Sequence, residues 1–317
     1  ATPNTEHGDL EFSGDVYTRR DGWSPRSNDP MHRFSSFNTS ITMPLMRYYR
    51  MTGYQPAFDL ATGLMNWAIR DHGGIDGLFE QGHFHSYSRL QTAMALWGIT
   101  ANDKEKLATA ERLYHKSRSL GTSAGWFPEQ INNPQHNRSN LSETCCLTDM
   151  IETAILLAQN VDPAYWHDVE RYARNYLMVH QIIDTDWFEQ MTFVPREKHV
   201  LGFNLETREE GDDGQVTGDY LKASLIGGFA GWGAVTAMSD DSMFSNSNQQ
   251  CCNAAGGRAL FDAWRYSVTD DGTAFRVNLH QAREHAAASV TIVEEKQAEL
   301  TVTMRENRRL AVRIPEF

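Results

Sequence analysis

Apolar residues recur every three to four positions along most of this chain and then, past Thr273, at every second position. That change of period limits the fold more than any other feature. A helix buries a stripe of period 3.6, whereas a half-buried strand buries alternate residues. The helical pattern begins near Phe37, with Ile41, Leu45 and Tyr48 expected on one buried face up to Arg50 and Gly53 as the stop. Pro56 opens a second helix whose stripe is Phe58, Leu60, Ala61, Leu64, Trp67 and Ala68, and His72-Gly73-Gly74 reads as a turn. Further helices are expected over 87–99 and 104–117. Leu147, Met150, Ile151, Ala154, Ile155 and Ala158 define another that starts at Glu143. The series continues over 165–182 behind Pro163 and ends with a helix over 252–265. The first 25 residues are polar and irregular, and 184–250 is rich in Gly, Ser, Asn and Asp, as long loops are.

Beyond Thr273, three short sets alternate: Phe275, Val277 and Leu279; Leu300, Val302 and Met304; Leu310, Val312 and Ile314. Helices in series followed by strands predict a mainly α fold. We expect a helical barrel of the (α/α)6 type over 1–272 and the start of a β-sandwich over 273–317. The helices fall short of a closed six-hairpin barrel, and the last strand-like segment has no partner. The chain is therefore expected to be part of a longer protein.

The net charge of −12 argues against a nucleic-acid partner, which would need basic groups to neutralise phosphates, and against an anionic membrane surface. Neutral sugars are compatible with it. Eight tryptophans suit the stacking of sugar rings, and suit a large helical core equally well. No apolar run approaches the ~20 residues of a membrane span. The opening ATPNTEHGDLEF has neither a basic start nor an apolar stretch, so no signal peptide is visible and a soluble cytoplasmic or periplasmic protein is expected.

The four cysteines form two vicinal pairs, Cys145-Cys146 and Cys251-Cys252, too few for a disulfide framework in a chain of this size. Both pairs fall at expected helix starts, where unpaired N–H groups and the helix dipole favour thiolate over thiol. Glu143 lies two residues before Cys145, so carboxylate and sulfur can face one ion. A cysteine pair from elsewhere in the chain can complete a set of one oxygen and three sulfurs, which suits Zn²⁺. Such a site can be catalytic, or it can be a closed zinc that only pins two helices; buried free thiols without metal are a third reading.

The segments Ser142-Glu143-Thr144-Cys145-Cys146 and Gln249-Gln250-Cys251-Cys252-Asn253 resemble those of glycoside hydrolase family 127, the β-L-arabinofuranosidases. The resemblance covers most of the chain. It implies an α/α barrel leading into a β-sandwich, Zn²⁺ held by Glu143, Cys145, Cys251 and Cys252, and Cys251 as the nucleophile of a retaining exo-glycosidase. It also implies an acid/base glutamate upstream, for which Glu129 in Gly125-Trp126-Phe127-Pro128-Glu129 is the candidate, although the family's usual Gly-Glu is absent here. Cys146 is a further departure, since only the first cysteine of that pair is expected to ligate. The implied substrates are β-L-arabinofuranosides or related plant cell-wall sugars. Histidines held on barrel loops would bind hydroxyls, so His83 and His85 are substrate-binding candidates.

Gly227-Gly228-Phe229-Ala230-Gly231-Trp232 fits a sugar-facing loop, with Trp232 as the contact, and fits a tight packing corner equally well. Asp184-Thr185-Asp186-Trp187 reads as structural. Two other functional classes fit these residues. One is an α/α-toroid polysaccharide lyase or sugar epimerase that works through His83, His85 and Tyr87. The other is a non-catalytic carbohydrate-binding protein with a structural zinc.

Overall fold

The computed structural model describes residues 2–4, 9–11, 41–71, 74–80, 82–132, 141–185, 225–234, 250–294 and 298–316. Two short strands, β1 (Thr2–Asn4) and β2 (Asp9–Glu11), pair antiparallel within the stretch expected to be irregular. The helices follow as α1 (Thr42–Thr52), α2 (Gln55–Asp71), α3 (Phe84–Thr100), α4 (Lys104–Ser119) and α5 (Thr144–Asn160). After a 3₁₀ turn at Pro163–Tyr165 comes α6 (Trp166–Tyr172), then a π-helical turn (Ala173–Leu177) and the single turn α7 (Met178–His180). The last helix is α8 (Gln250–Arg265).

Helices α1, α3, α5 and α8 pack side by side, with α2, α4 and α6 behind them. This is the two-layered arrangement of a helical barrel. The burial of each helix follows from its composition. Between Thr144 and Ala158, α5 is buried on every side except at Leu156, which requires a helix of apolar and small polar residues all round. By contrast, α4 buries only Thr109, Ala110, Leu113, Tyr114 and Ser117 and leaves a charged face to water. Its start is fixed by Asp103, whose carboxylate accepts from the N–H groups of Glu105 and Lys106.

Of the face expected for α1, only Leu45 packs against the core. Met43 (2% exposed) and Met46 point inward, whereas Ile41 and Tyr48 (52% exposed) face outward. An eleven-residue helix carries two comparable apolar stripes, and packing against α2 and α3 selects the methionines. The stop is where expected: Gly53 takes φ 71° and its N–H bonds back to the Tyr49 carbonyl.

Four short strands link the helix ends near the cysteines. Residues Gly82–His83 (β3) pair antiparallel with Gln130–Ile131 (β4), and Leu141–Glu143 (β5) with Trp232–Ala234 (β6). Past α8, the pairing starts at Val268, ahead of the 272/273 boundary expected. One mixed sheet has the order β12-β8-β7, from Arg309–Val312, Ala274–Val277 and Val268–Asp270, and β12 runs parallel to β8. The other has the order β11-β10-β9, from Ala298–Met304, Ala288–Glu294 and Arg283–Glu284. Val268, Phe275 and Val277 of the first sheet meet Val290, Leu300 and Val302 of the second in one apolar cluster, which makes the segment sandwich-like. Arg313, just past β12, ties it to the helices through Glu170 and the ring of His167. Among the described residues no helix is long and apolar enough to cross a membrane.

Candidate metal and active site

Four of the residues singled out in the sequence converge. Ligand atoms of Glu143, Cys145, Cys251 and Cys252 all lie within 4.8 Å of one another, although the two cysteine pairs are more than a hundred positions apart. The Cys145 and Cys252 sulfurs are 3.5 Å apart, Cys251 and Cys252 3.7 Å, and Cys252 Sγ lies 3.6 Å from Glu143 Oε1. Glu143, Cys145 and Cys252 are buried, and Cys251 is exposed. A donor set this compact, with one oxygen and three sulfurs, can hold one metal ion.

Helix starts generate this convergence. Glu143 is the N-terminal cap residue of α5, in extended conformation at the end of β5, and Cys145 is the second helical residue. Cys251 and Cys252 occupy the second and third positions of α8, which packs against α5. Cys146 is turned away into the apolar core, with its sulfur 4.0 Å from Glu143 Oε2.

The start of α5 is anchored from behind. Thr144 Oγ1 donates to the Ala230 carbonyl at 2.5 Å and receives the ring N–H of His180 Nδ1 at 2.5 Å. The hydroxyl has a single proton, already committed to Ala230, so Nδ1 carries the ring proton. Burial drives the His180 pKa down to about 4, which keeps the ring neutral.

The loop 227–230 is a packing corner. Phe229 is buried, its N–H is taken by Asn253 Oδ1, and it lies so close to Gly256 that a Cβ there would sit 2.3 Å from the Phe229 ring. Trp232 stands opposite Glu143 in the β5–β6 register, and its side chain lies outside the described residues. Asp186 and Trp187 also lie outside them.

A second layer surrounds the cluster. His83 Nε2 is 2.8 Å from Glu143 Oε2, and His83 Nδ1 is 3.0 Å from Ser86 Oγ. Glu129 joins them: His83, Glu129 and Glu143 have ligand atoms within 4.8 Å of one another. Glu129 is only 4% exposed. Its N–H donates to the Leu141 carbonyl and its own carbonyl accepts from Phe84 N–H, so the chain between β3 and β5 holds it in place. His85 Nδ1 bonds Asp149 Oδ2 at 2.7 Å, and Ser88 Oγ donates to the same oxygen at 2.9 Å. Sequence reasoning missed Asp149, Thr144 and His180. The signal for Asp149 was available: it lies four residues past Cys145, on the same helix face.

Charge is distributed unevenly. Burial alone would raise the Glu143 carboxyl, but the neighbouring His83 and His85 rings outweigh it and hold the pKa at about 2. Hydrogen bonds from the Cys145 and Cys252 thiols lower the Cys251 thiol well below its ordinary value. The bonds of Cys145 to Cys251 and Cys252, together with burial, push its thiol up. Cys252 also moves up: its bond to Cys251 and its burial outweigh the opposing bond with Cys145. The first sulfur to ionise is therefore the one that solvent reaches.

No protein-family model matches the sequence, and no curated protein matches it either. Solved structures do. A GH127 β-L-arabinofuranosidase from Geobacillus stearothermophilus T6 aligns over 87% of this chain and 47% of its own, at 15% identity and a TM-score of 0.53. This chain has the GH127 fold. A second GH127 β-arabinofuranosidase aligns over 86% of this chain and 42% of its own, at 14% identity and a TM-score of 0.54. The chain thus spans less than half the length of the GH127 structures it matches.

Proposed function

We propose that this chain carries the catalytic centre of a retaining exo-glycoside hydrolase that acts on β-L-arabinofuranosides or related sugars. The observation that carries the reading is the gathering of Glu143, Cys145, Cys251 and Cys252 into one group in which only Cys251 is open to solvent. A purely structural ion has no need of an exposed ligand, whereas a nucleophile does.

The distances fit zinc. Two sulfurs bound tetrahedrally at about 2.3 Å sit ~3.8 Å apart, close to the 3.5 and 3.7 Å found here. Zinc held by Glu143, Cys145, Cys251 and Cys252 would keep sulfur as thiolate at neutral pH and make it a better leaving group later. Cys251 Sγ then attacks the anomeric carbon, and a carbon–sulfur bond forms as the glycosidic carbon–oxygen bond breaks. Glu129 gives its proton to the departing oxygen and afterwards takes one from the water that displaces sulfur. Two inversions at one carbon return the starting configuration. We assign His83 and His85 to hold the sugar hydroxyls, supported by the contact of His83 with Glu143 and the tether of His85 to Asp149. We assign Trp232 to the sugar face, supported by its register opposite Glu143. We assign the catalytic unit to the helices up to Arg265 and the strands from Val268 onward to a β-sandwich, supported by the pairing of Val268–Asp270 with Ala274–Val277.

Metal analysis coupled to hydrolysis of p-nitrophenyl β-L-arabinofuranoside tests the reading. The expected result is about one zinc per chain, with hydrolysis lost on chelation by phenanthroline and restored by added zinc. Zinc retained without hydrolysis of any furanoside or pyranoside in a panel would make the ion structural and the chain non-catalytic.

A further inference from the structure

A second polar site lies at the other end of the helix row, and the proposed reaction does not use it. The N-terminal ends of α3, α5 and α8 carry His83, Glu143, Cys145 and Cys251, and their last turns line a cleft of about 600 Å³. Its α5 lining runs from Glu152 to Asn160, seven to fifteen residues past Cys145, which places the cleft ~10 to ~20 Å along α5 from the sulfurs. A volume of this size suits a small molecule.

The lining carries four guanidinium groups, from Arg47, Arg50, Arg258 and Arg265, against two carboxylates, Glu152 and Asp262. Glu152 is already taken, with Arg258 Nε at 2.5 Å and an Arg47 nitrogen at 3.3 Å from its Oε1. Neither Arg50 nor Arg265 lies within ion-pair distance of a carboxylate among the described residues, and Arg265 rests 5.3 Å over the Tyr266 ring. The rest of the wall is mostly apolar or aromatic, with Leu96, Ile155, Leu156, Phe261 and Tyr266, and adds the side-chain amides of Gln159 and Asn160. Uncompensated positive charge at the C-terminal ends of helices is favourable to the helices and leaves donors over for a ligand.

We propose that this cleft binds a small organic anion, a carboxylate carried on a ring or a short carbon skeleton, with Arg50 and Arg265 as its anchors. Two guanidinium forks match the planar carboxylate, and Phe261 and Tyr266 cover the less polar body. A neutral sugar satisfies neither fork. The inference does not rest on the proposed hydrolysis, because it concerns a different set of residues.

Calorimetric titration of the full chain at low ionic strength tests it, with D-glucuronate, benzoate, inorganic phosphate and glucose as probes. Expected is saturable binding of glucuronate or benzoate but not of glucose. The Kd should rise about tenfold or more in the Arg50→Gln/Arg265→Gln variant and stay unchanged in Cys251→Ser. Both arginines are exposed, so the double variant keeps the fold, which its melting temperature verifies. Four results would overturn the proposal: no saturable carboxylate binding up to about 10 mM, equal affinity in the double variant, loss of binding in Cys251→Ser, or binding of phosphate alone.

Discussion

The two Cys-Cys dipeptides start from the same place and end with different work. In each, the first cysteine is the second residue of a helix and the next is the third, so both pairs have the same phase relative to their helix dipoles. At α5 one sulfur turns to the cluster and the other, Cys146, is sealed in the apolar core. At α8 both sulfurs join the cluster, and one of them reaches solvent. Surroundings make the difference. The start of α5 is held by the β5–β6 pairing and by the Thr144 hydroxyl, whereas Cys251 in the first turn of α8 is exposed. A motif of two cysteines therefore carries no fixed function; the packing around each sulfur decides whether it binds, reacts or only fills space.

The sharpest way to break this contrast is to remove the exposed sulfur. Cys251→Ser is expected to lower turnover of an aryl β-L-arabinofuranoside by about 10³-fold or more while the far-ultraviolet circular dichroism stays unchanged. An unchanged rate would end the nucleophile assignment.

Next in size is the anchor behind α5. His180 is neutral in the fold because its pKa is depressed to about 4 from an ordinary 6.5. The unfolded chain therefore binds the extra proton first. The stability this provides is complete above pH 6.5 and is lost as the pH falls through 4, amounting to ~3 kcal/mol at most. Melting curves between pH 7 and 4 should fall steeply for the wild type and more gently for His180→Gln.

The smallest effect separates the two sulfurs of the first pair. Cys146→Ala should cost ~1 kcal/mol for the lost packing and leave metal stoichiometry intact. Cys145→Ala should lose the ion. If the two variants behaved alike in metal analysis, the division of labour within the pair would be wrong.

The grouping of the candidate ligands was more legible in the sequence than the packing. Ligation requires particular residue types at particular spacings, so Glu143, Cys145, Cys251 and Cys252 stood out before any fold was known. Glu129 was harder to judge: a loop carboxylate leaves no periodic trace, and its burial depends on backbone bonds to Phe84 and Leu141. The Thr144–His180 contact joins residues thirty-six positions apart, from the start of α5 to the end of α7, which no local pattern encodes. The face of α1 was misread because methionine and isoleucine are both acceptable in a core, and only the neighbouring helices decide between them. Strand β10 escaped notice although Val290 and Ile292 alternate, and the three-residue strand β7 is too short for a period to register.

The π-helical turn at Ala173–Leu177 adjusts the angular position of everything that follows it. Each residue advances an α-helix by about 100°, so one residue absorbed in a wider turn rotates the remainder by that amount with little change in length. His180 lies three positions beyond the bulge. Deleting a single residue from that turn would swing its imidazole about a quarter-turn away from Thr144, leaving the first hydroxyl of α5 with the Ala230 carbonyl alone to brace it.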